Sequence, residues 1–193
     1  GNIGNASLSP ENAFQGELGL KYIRHSFTFN ASYFYRDISR FIDWTRNVDT
    51  EPWQSHNVGS LLTKGINMRS NYSASLSAST RLNVNLAYSY LDAEFSDINP
   101  DIKSKYLIAA LKHQVTNTID LQHRGFSALF ATRFNERTTG KAYWINDCRI
   151  SQKVKQFTVY LDAQNIFNTT YFEIGSIPLP ARWVSLGVKF TTI

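Results

Sequence analysis

The chain is short of charge, nearly free of sulfur, and has no long apolar run. Only 18% of its residues are charged, below the quarter or so that is usual in soluble domains. A single cysteine, Cys148, excludes an internal disulfide and any cysteine-based metal knuckle. No stretch reaches the ~20 apolar residues of a spanning helix. That leaves one membrane option open, because barrels cross with alternating strands of roughly ten residues. The formal charge is +5, but Lys and Arg are scattered. Nucleic-acid binding needs them clustered on one face, so it is not expected. The four histidines, His25, His56, His113 and His123, form no short-spaced pair, and neither a metal nor a cofactor is expected. No nucleophile elbow, HExxH pattern or phosphate loop occurs, so the chain does not read as an enzyme.

What is present is a wealth of strand formers. Aromatics make up 14% of the chain, mostly Phe and Tyr, and such residues favour a pleated, half-buried surface. Apolar and polar residues alternate along most of the length. Leu82, Val84, Leu86, Tyr88 and Tyr90 lie against Asn83, Asn85, Ala87 and Ser89. Val184, Leu186, Val188 and Phe190 lie against Trp183, Ser185, Gly187 and Lys189. This period-two pattern predicts nine strands. They run over about 14–24, 27–44, 58–75, 81–95, 106–122, 126–137, 143–152, 157–165 and 182–190.

The connections alternate between tight and wide. They are tight near residues 25, 77, 123 and 153, and wide or moderate near 45, 96, 138 and 166. Greek-key sandwiches break that order, whereas up-and-down barrels keep it, with short turns on the periplasmic side and longer loops outside. Several strands exceed ten residues, against five or six in soluble proteins. The polar face carries Arg69, Asn71, Asn85, Asp120, Arg133, Arg149 and Asp162, as a wet lumen would. The expected fold is therefore all-β, an antiparallel up-and-down transmembrane barrel. A closed antiparallel barrel needs an even strand number, so nine strands ending toward the periplasm imply the C-terminal part of a larger barrel.

Three places in the sequence resemble TonB-dependent outer-membrane receptors. Asn5 to Glu11, followed by Gly16-Glu17-Leu18-Gly19-Leu20-Lys21-Tyr22, is similar to the family's NPxLKPE…ExGxKY segment. Asn165-Ile166-Phe167-Asn168, with Tyr171, resembles its NLFNxxY segment. Pro178 to Arg182, including Pro180, resembles the PxPGR lead-in to its last strand, with Ala181 in place of Gly. The resemblance covers essentially the whole chain, 1–193, as about the last nine strands of a 22-stranded barrel with a plugged lumen. It places the chain in the outer membrane of a Gram-negative cell, in contact with lipid. It implies active uptake of a scarce small molecule, with the TonB complex acting through a plug domain outside this chain. Cobalamin is the first expectation for the ligand, and an iron-siderophore or haem the second.

Trp44, Trp53 and His56 border the first wide loop. As ligand contacts they would offer aromatic faces to a corrinoid, haem or catecholate. As plain structure they would be girdle residues and a loop anchor. Two other functional classes share the alternation: a passive porin or adhesin barrel, and a soluble all-β binding module. A plug domain upstream in the parent chain separates the importer from the first, and a need for detergent separates it from the second.

Overall fold

The computed structural model describes residues 1–96, 102–105, 110–138, 140–173 and 177–192. Nine strands form one antiparallel sheet: β2 (Asn12–Arg24), β3 (Phe27–Ser39), β6 (Ser60–Ser77), β7 (Thr80–Ser96), β9 (Leu111–His123), β10 (Phe126–Arg137), β11 (Tyr143–Val154), β12 (Phe157–Gln164) and β13 (Trp183–Phe190). Each pairs with its neighbours in sequence order, so the sheet is an unbroken meander. Four short pieces, β1 (Asn2–Ile3), β4 (Ile42–Arg46), β5 (Trp53–Asn57) and β8 (Lys103–Ser104), form a second sheet in the order β1-β5-β4-β8.

Two residues close each hairpin at one end of the large sheet: 25–26, 78–79, 124–125 and 155–156. His25, Arg124 and Lys155 have φ of 48°, 46° and 57°, which is the left-handed backbone that tight hairpins demand. At Arg124-Gly125 both central residues have positive φ, and there glycine removes the cost at the second position. The wide connections all lie at the other end.

Register divides the sheet into two faces. One cross-strand row reads Ala31, Met68, Tyr88, Val115, Phe134 and Trp144. A second, nearer the tight turns, reads Ala74, Leu82, Leu121, Ala128, Ile150, Leu161 and Leu186. These large apolar side chains are open to the surroundings; Leu18 is 79% and Leu186 74% exposed. A soluble monomer does not leave so continuous an apolar face uncovered. Aromatic residues mark both borders. The Phe134 and Trp144 rings meet at a tilt with centroids 4.7 Å apart and those of Tyr90 and His113 at 4.9 Å, with Phe157 and Phe190 at 5.2 Å toward the tight turns. A polar stretch, Asn117-Thr132-Asn146, crosses this face. Thr132 donates to Asn146 at 2.9 Å, which reduces the cost of holding those groups among apolar neighbours.

The opposite face is polar and laced across its strands. Asn85 donates to Thr118 at 3.0 Å, Ser89 to Asn67 at 2.8 Å, Ser127 to Asp120 at 3.1 Å, and Arg149 pairs with Asp162 at 2.5 Å. All seven expected polar-face residues, from Arg69 to Asp162, share it by register. Side chains of β2, β3, β6, β7 and β9 on this face line a single cavity of about 820 Å³, so the sheet is concave here. Glycine admits close approaches at Gly65 and Gly187, the latter under the Tyr160 ring. A Cβ on Gly65 would meet the Phe34 ring at 2.6 Å and also the Tyr90 carbonyl, so the aromatic ring lies against bare backbone.

Several expectations need correction. The second strand was expected to continue from Phe27 to Trp44, but it ends at Ser39. Arg40 at φ 55° turns the chain, and Trp44 falls on the separate strand β4. The first wide loop is not plain loop, since it carries both β4 and β5. Tyr143 and Trp183, aromatic residues at strand ends, take the polar side of the sheet by register rather than the apolar one. The expected start of the fifth strand, Tyr106, lies outside the described residues.

Candidate functional site

The wide-loop end is built inward from the polar face. Ile38, Leu61 and Phe95 occupy adjacent polar-face positions near the tops of β3, β6 and β7. There they are covered by Phe41 and Val58 from the β3–β6 connection. Phe41 and Phe95 meet edge to face at 5.8 Å. Phe41 donates its backbone N–H to Gly59 and accepts from Val58. Apolar residues in this otherwise polar series therefore root the connection, and the β4–β5 hairpin continues from that root at the wide-loop end.

Three separate stretches of chain meet there. β1 pairs with β5 in parallel, and β8 pairs with β4. Asn57 ties the hairpin to the first segment, donating to Ser9 at 2.9 Å and to Arg40 at 2.7 Å. Asp43 and Ser104 are both buried, and the Ser104 hydroxyl donates to the Asp43 carboxylate across the β4–β8 pair. The small sheet is a cap, made of parts that are up to about a hundred residues apart in sequence.

The face of the cap bearing Trp44 and Trp53 gathers cations. The Lys105 ammonium lies 5.1 Å from the Trp53 ring centre and 5.4 Å from that of Trp44. The Arg46 guanidinium sits 4.4 Å over Trp53. Lys103 pairs with Arg46 across β4 and β8. Its ammonium meets Asp49 at 2.7 Å, while Arg46 meets the other oxygen of Asp49 at 2.6 Å. The hydrogen bond from Lys103, and then its charge, hold the Asp49 carboxyl below its ordinary value. Cation–π contacts of this kind keep long cationic side chains in place while leaving their charge available.

The three residues expected to meet ligand therefore separate. Trp44 and Trp53 come together. His56 follows Trp53 by three residues on a strand, so it takes the other face, where it contacts Gln54 at 3.2 Å and lines a cleft of about 670 Å³. Sequence reading missed Arg46, Lys103 and Lys105. Their positions are set by strand pairing between distant loops, and no local pattern carries that information.

The motif residues near the C-terminus have a structural role. Asn165, at φ 47° and 3% exposed, is the hub of the last wide loop. Its amide donates to the Thr169 carbonyl at 2.8 Å and to the Pro180 carbonyl at 3.3 Å, and its oxygen accepts from the Thr169 N–H at 2.8 Å. Asn168 accepts from the Arg182 N–H at 2.9 Å, and the Arg182 side chain donates to the Ile166 carbonyl. Tyr171 packs on Tyr143 at 5.0 Å. Phe167 is exposed. The Asn-Ile-Phe-Asn turn and the Pro180-Arg182 segment are thus two halves of one staple.

Comparison with known proteins agrees with this geometry. No curated protein matches the chain. Among solved structures, it resembles the FrpB iron transporter from Neisseria meningitidis (TM-score 0.73, 19% identity, 97% of this chain and 32% of that one). It also resembles the copper transporter OprC (TM-score 0.68, 17% identity, 96% and 32%). A third is the siderophore receptor PirA from Pseudomonas aeruginosa (TM-score 0.63, 17% identity, 97% and 31%). The chain spans about a third of the length of each. At these identities the likeness speaks to fold alone. The family model described as "TonB dependent receptor-like, beta-barrel" matches residues 1–166, and on that match, with the meander and its two contrasting faces, the chain belongs to the TonB-dependent receptor β-barrel family.

Proposed function

We propose that this chain is the C-terminal part of the barrel of an outer-membrane receptor that imports an anionic iron chelate, with energy delivered through TonB. The observation that carries the reading is the cap. Arg46 and Lys105 lie over the rings of Trp44 and Trp53, with Lys103 paired beside Arg46, at the wide-loop end of a sheet whose polar face holds a concavity of about 820 Å³. Indole faces and cations together suit a ligand that is both aromatic and negatively charged, such as a ferric catecholate. The apolar face meets lipid. The concave face meets water and a plug domain supplied by the rest of the receptor, through which TonB acts.

Cobalamin, the first choice from the sequence, gives way here to the second. The relatives named above are transporters or receptors of iron, copper and a siderophore, and none is named for cobalamin. A cationic site also gives no advantage to a ligand without net negative charge. The test is uptake by cells expressing the full-length receptor, offered radioactive iron as a tris-catecholate complex or radioactive cyanocobalamin. The expected result is receptor-dependent iron uptake that stops when TonB is deleted, with no cobalamin uptake. Uptake that persists without TonB would mark a passive porin, and cobalamin uptake alone would restore the first reading.

A further inference from the structure

We infer that Asp49 is a built-in competitor in the cap, which sets how much negative charge a ligand must carry to bind. The inference rests on the reading of the cap as an anion site and goes one step beyond it. Asp49 uses a different oxygen for each cation, Oδ1 for Arg46 at 2.6 Å and Oδ2 for Lys103 at 2.7 Å. Its backbone carbonyl also accepts from Arg46 at 2.8 Å, so the turn is anchored without the carboxylate. The carboxylate itself is 68% exposed and can swing into water without uncovering any packed surface.

The cations behave differently. Lys103 lies in β8, held by pairing with β4, and Arg46 rests on the Trp53 ring. Both stay in place when Asp49 leaves. The neighbouring acid, Glu51, accepts from the Asn47 N–H at 3.1 Å and so supports the turn. Lys105 donates to Asn2 at 3.1 Å, which leaves its charge directed at the two indoles. Asp49 is therefore the carboxylate that occupies the position a ligand's own anionic group would take. Exposed ion pairs are weak in water. A ligand with several negative charges displaces this one and gains Lys105 as well, whereas a neutral ligand gains nothing by displacing it.

The test uses the full-length receptor in detergent and two probes, a triply negative ferric tris-catecholate and a neutral ferric tris-hydroxamate. Asp49→Asn is expected to tighten the tris-catecholate about two- to thirtyfold, the range for losing two exposed contacts, and to leave the hydroxamate unchanged. Lys103→Gln is expected to weaken the tris-catecholate and to remove the gain from Asp49→Asn in the double variant. Unchanged or weaker tris-catecholate binding by Asp49→Asn overturns the inference. If the wild-type receptor binds neither chelate, the uptake reading fails by itself, and citrate, an iron-free trianion, serves as probe in titration calorimetry. Tighter citrate binding by Asp49→Asn upholds the competitor, and equal binding overturns it.

Discussion

Replacing Asn165 by Ala tests the C-terminal staple at its hub. The side chain makes three hydrogen bonds, at 2.8, 3.3 and 2.8 Å, to Thr169 and Pro180. Each neutral bond contributes about 1 kcal/mol net. Alanine also has to hold φ near 47°, where an L side chain other than Asn or Asp costs about 1 kcal/mol. The sum is about 4 kcal/mol against the closed loop, or close to a thousandfold in its opening constant. Asn165→Gly removes the same bonds but tolerates the backbone, so its cost is about 3 kcal/mol. Amide hydrogen exchange over residues 165–173 and 177–182 of the full-length receptor reads this directly. Protection should fall in both variants, further in Ala than in Gly, while the β9–β10 amides stay unchanged. Wild-type protection in Asn165→Ala would refute the hub. So would greater damage from Gly than from Ala, because the left-handed backbone would then be contributing nothing.

Two further outcomes follow from the faces and the cap. Ile119→Arg places a charge in the middle of the apolar face of β9 and should cost about 2–4 kcal/mol of folding in lipid. Thr118→Arg, one residue away on the polar face, should cost little; urea titration of refolded receptor in vesicles compares them, and equal costs would contradict the face assignment. The Asp49 carboxyl titrates lower in the folded cap than in an open one, because Lys103 donates to it. The stabilisation it gives is therefore present at neutral pH and is lost only as pH falls through that depressed value. Exchange at Lys103 and Ser104, corrected for intrinsic rates, should be flat from pH 7 to 5. Release of β8 within that window would contradict the depressed carboxyl.

The fold was largely legible in the sequence because lipid and water impose opposite demands on neighbouring residues. Alternation such as Leu82 to Tyr90 fixes strand, face and register together. The four tight turns were legible for a related reason, since each falls where the alternation stops. Legibility failed where that rule ended. Ile38, Leu61 and Phe95 are apolar residues on the polar face, and no period explains them. Their partners Phe41 and Val58 arrive from a connection whose path depends on a single backbone turn at Arg40. The cap depends on pairing between β1, β4, β5 and β8, which lie far apart in sequence, so Trp44 and Trp53 could be picked out as aromatic and loop-borne but not placed together with Arg46, Lys103 and Lys105. His56 illustrates the cost of one residue of register: an odd offset from Trp53 sends it to the other face.

The central claim is that one face of the nine-stranded sheet meets lipid and the other water, and a spin-label scan of β7 tests it most directly. Single cysteines are placed from Leu82 to Phe95 in a full-length receptor whose Cys148 is replaced by Ser, and each label's collisions with oxygen and with a water-soluble nickel chelate are measured in vesicles. Labels at 82, 84, 86 and 88 should favour oxygen and those at 83, 85, 87 and 89 nickel, and the alternation should vanish at Ala93 and Phe95, where the strand top packs beneath the cap. Oxygen preference along the whole strand, or alternation of the opposite phase, would contradict the account.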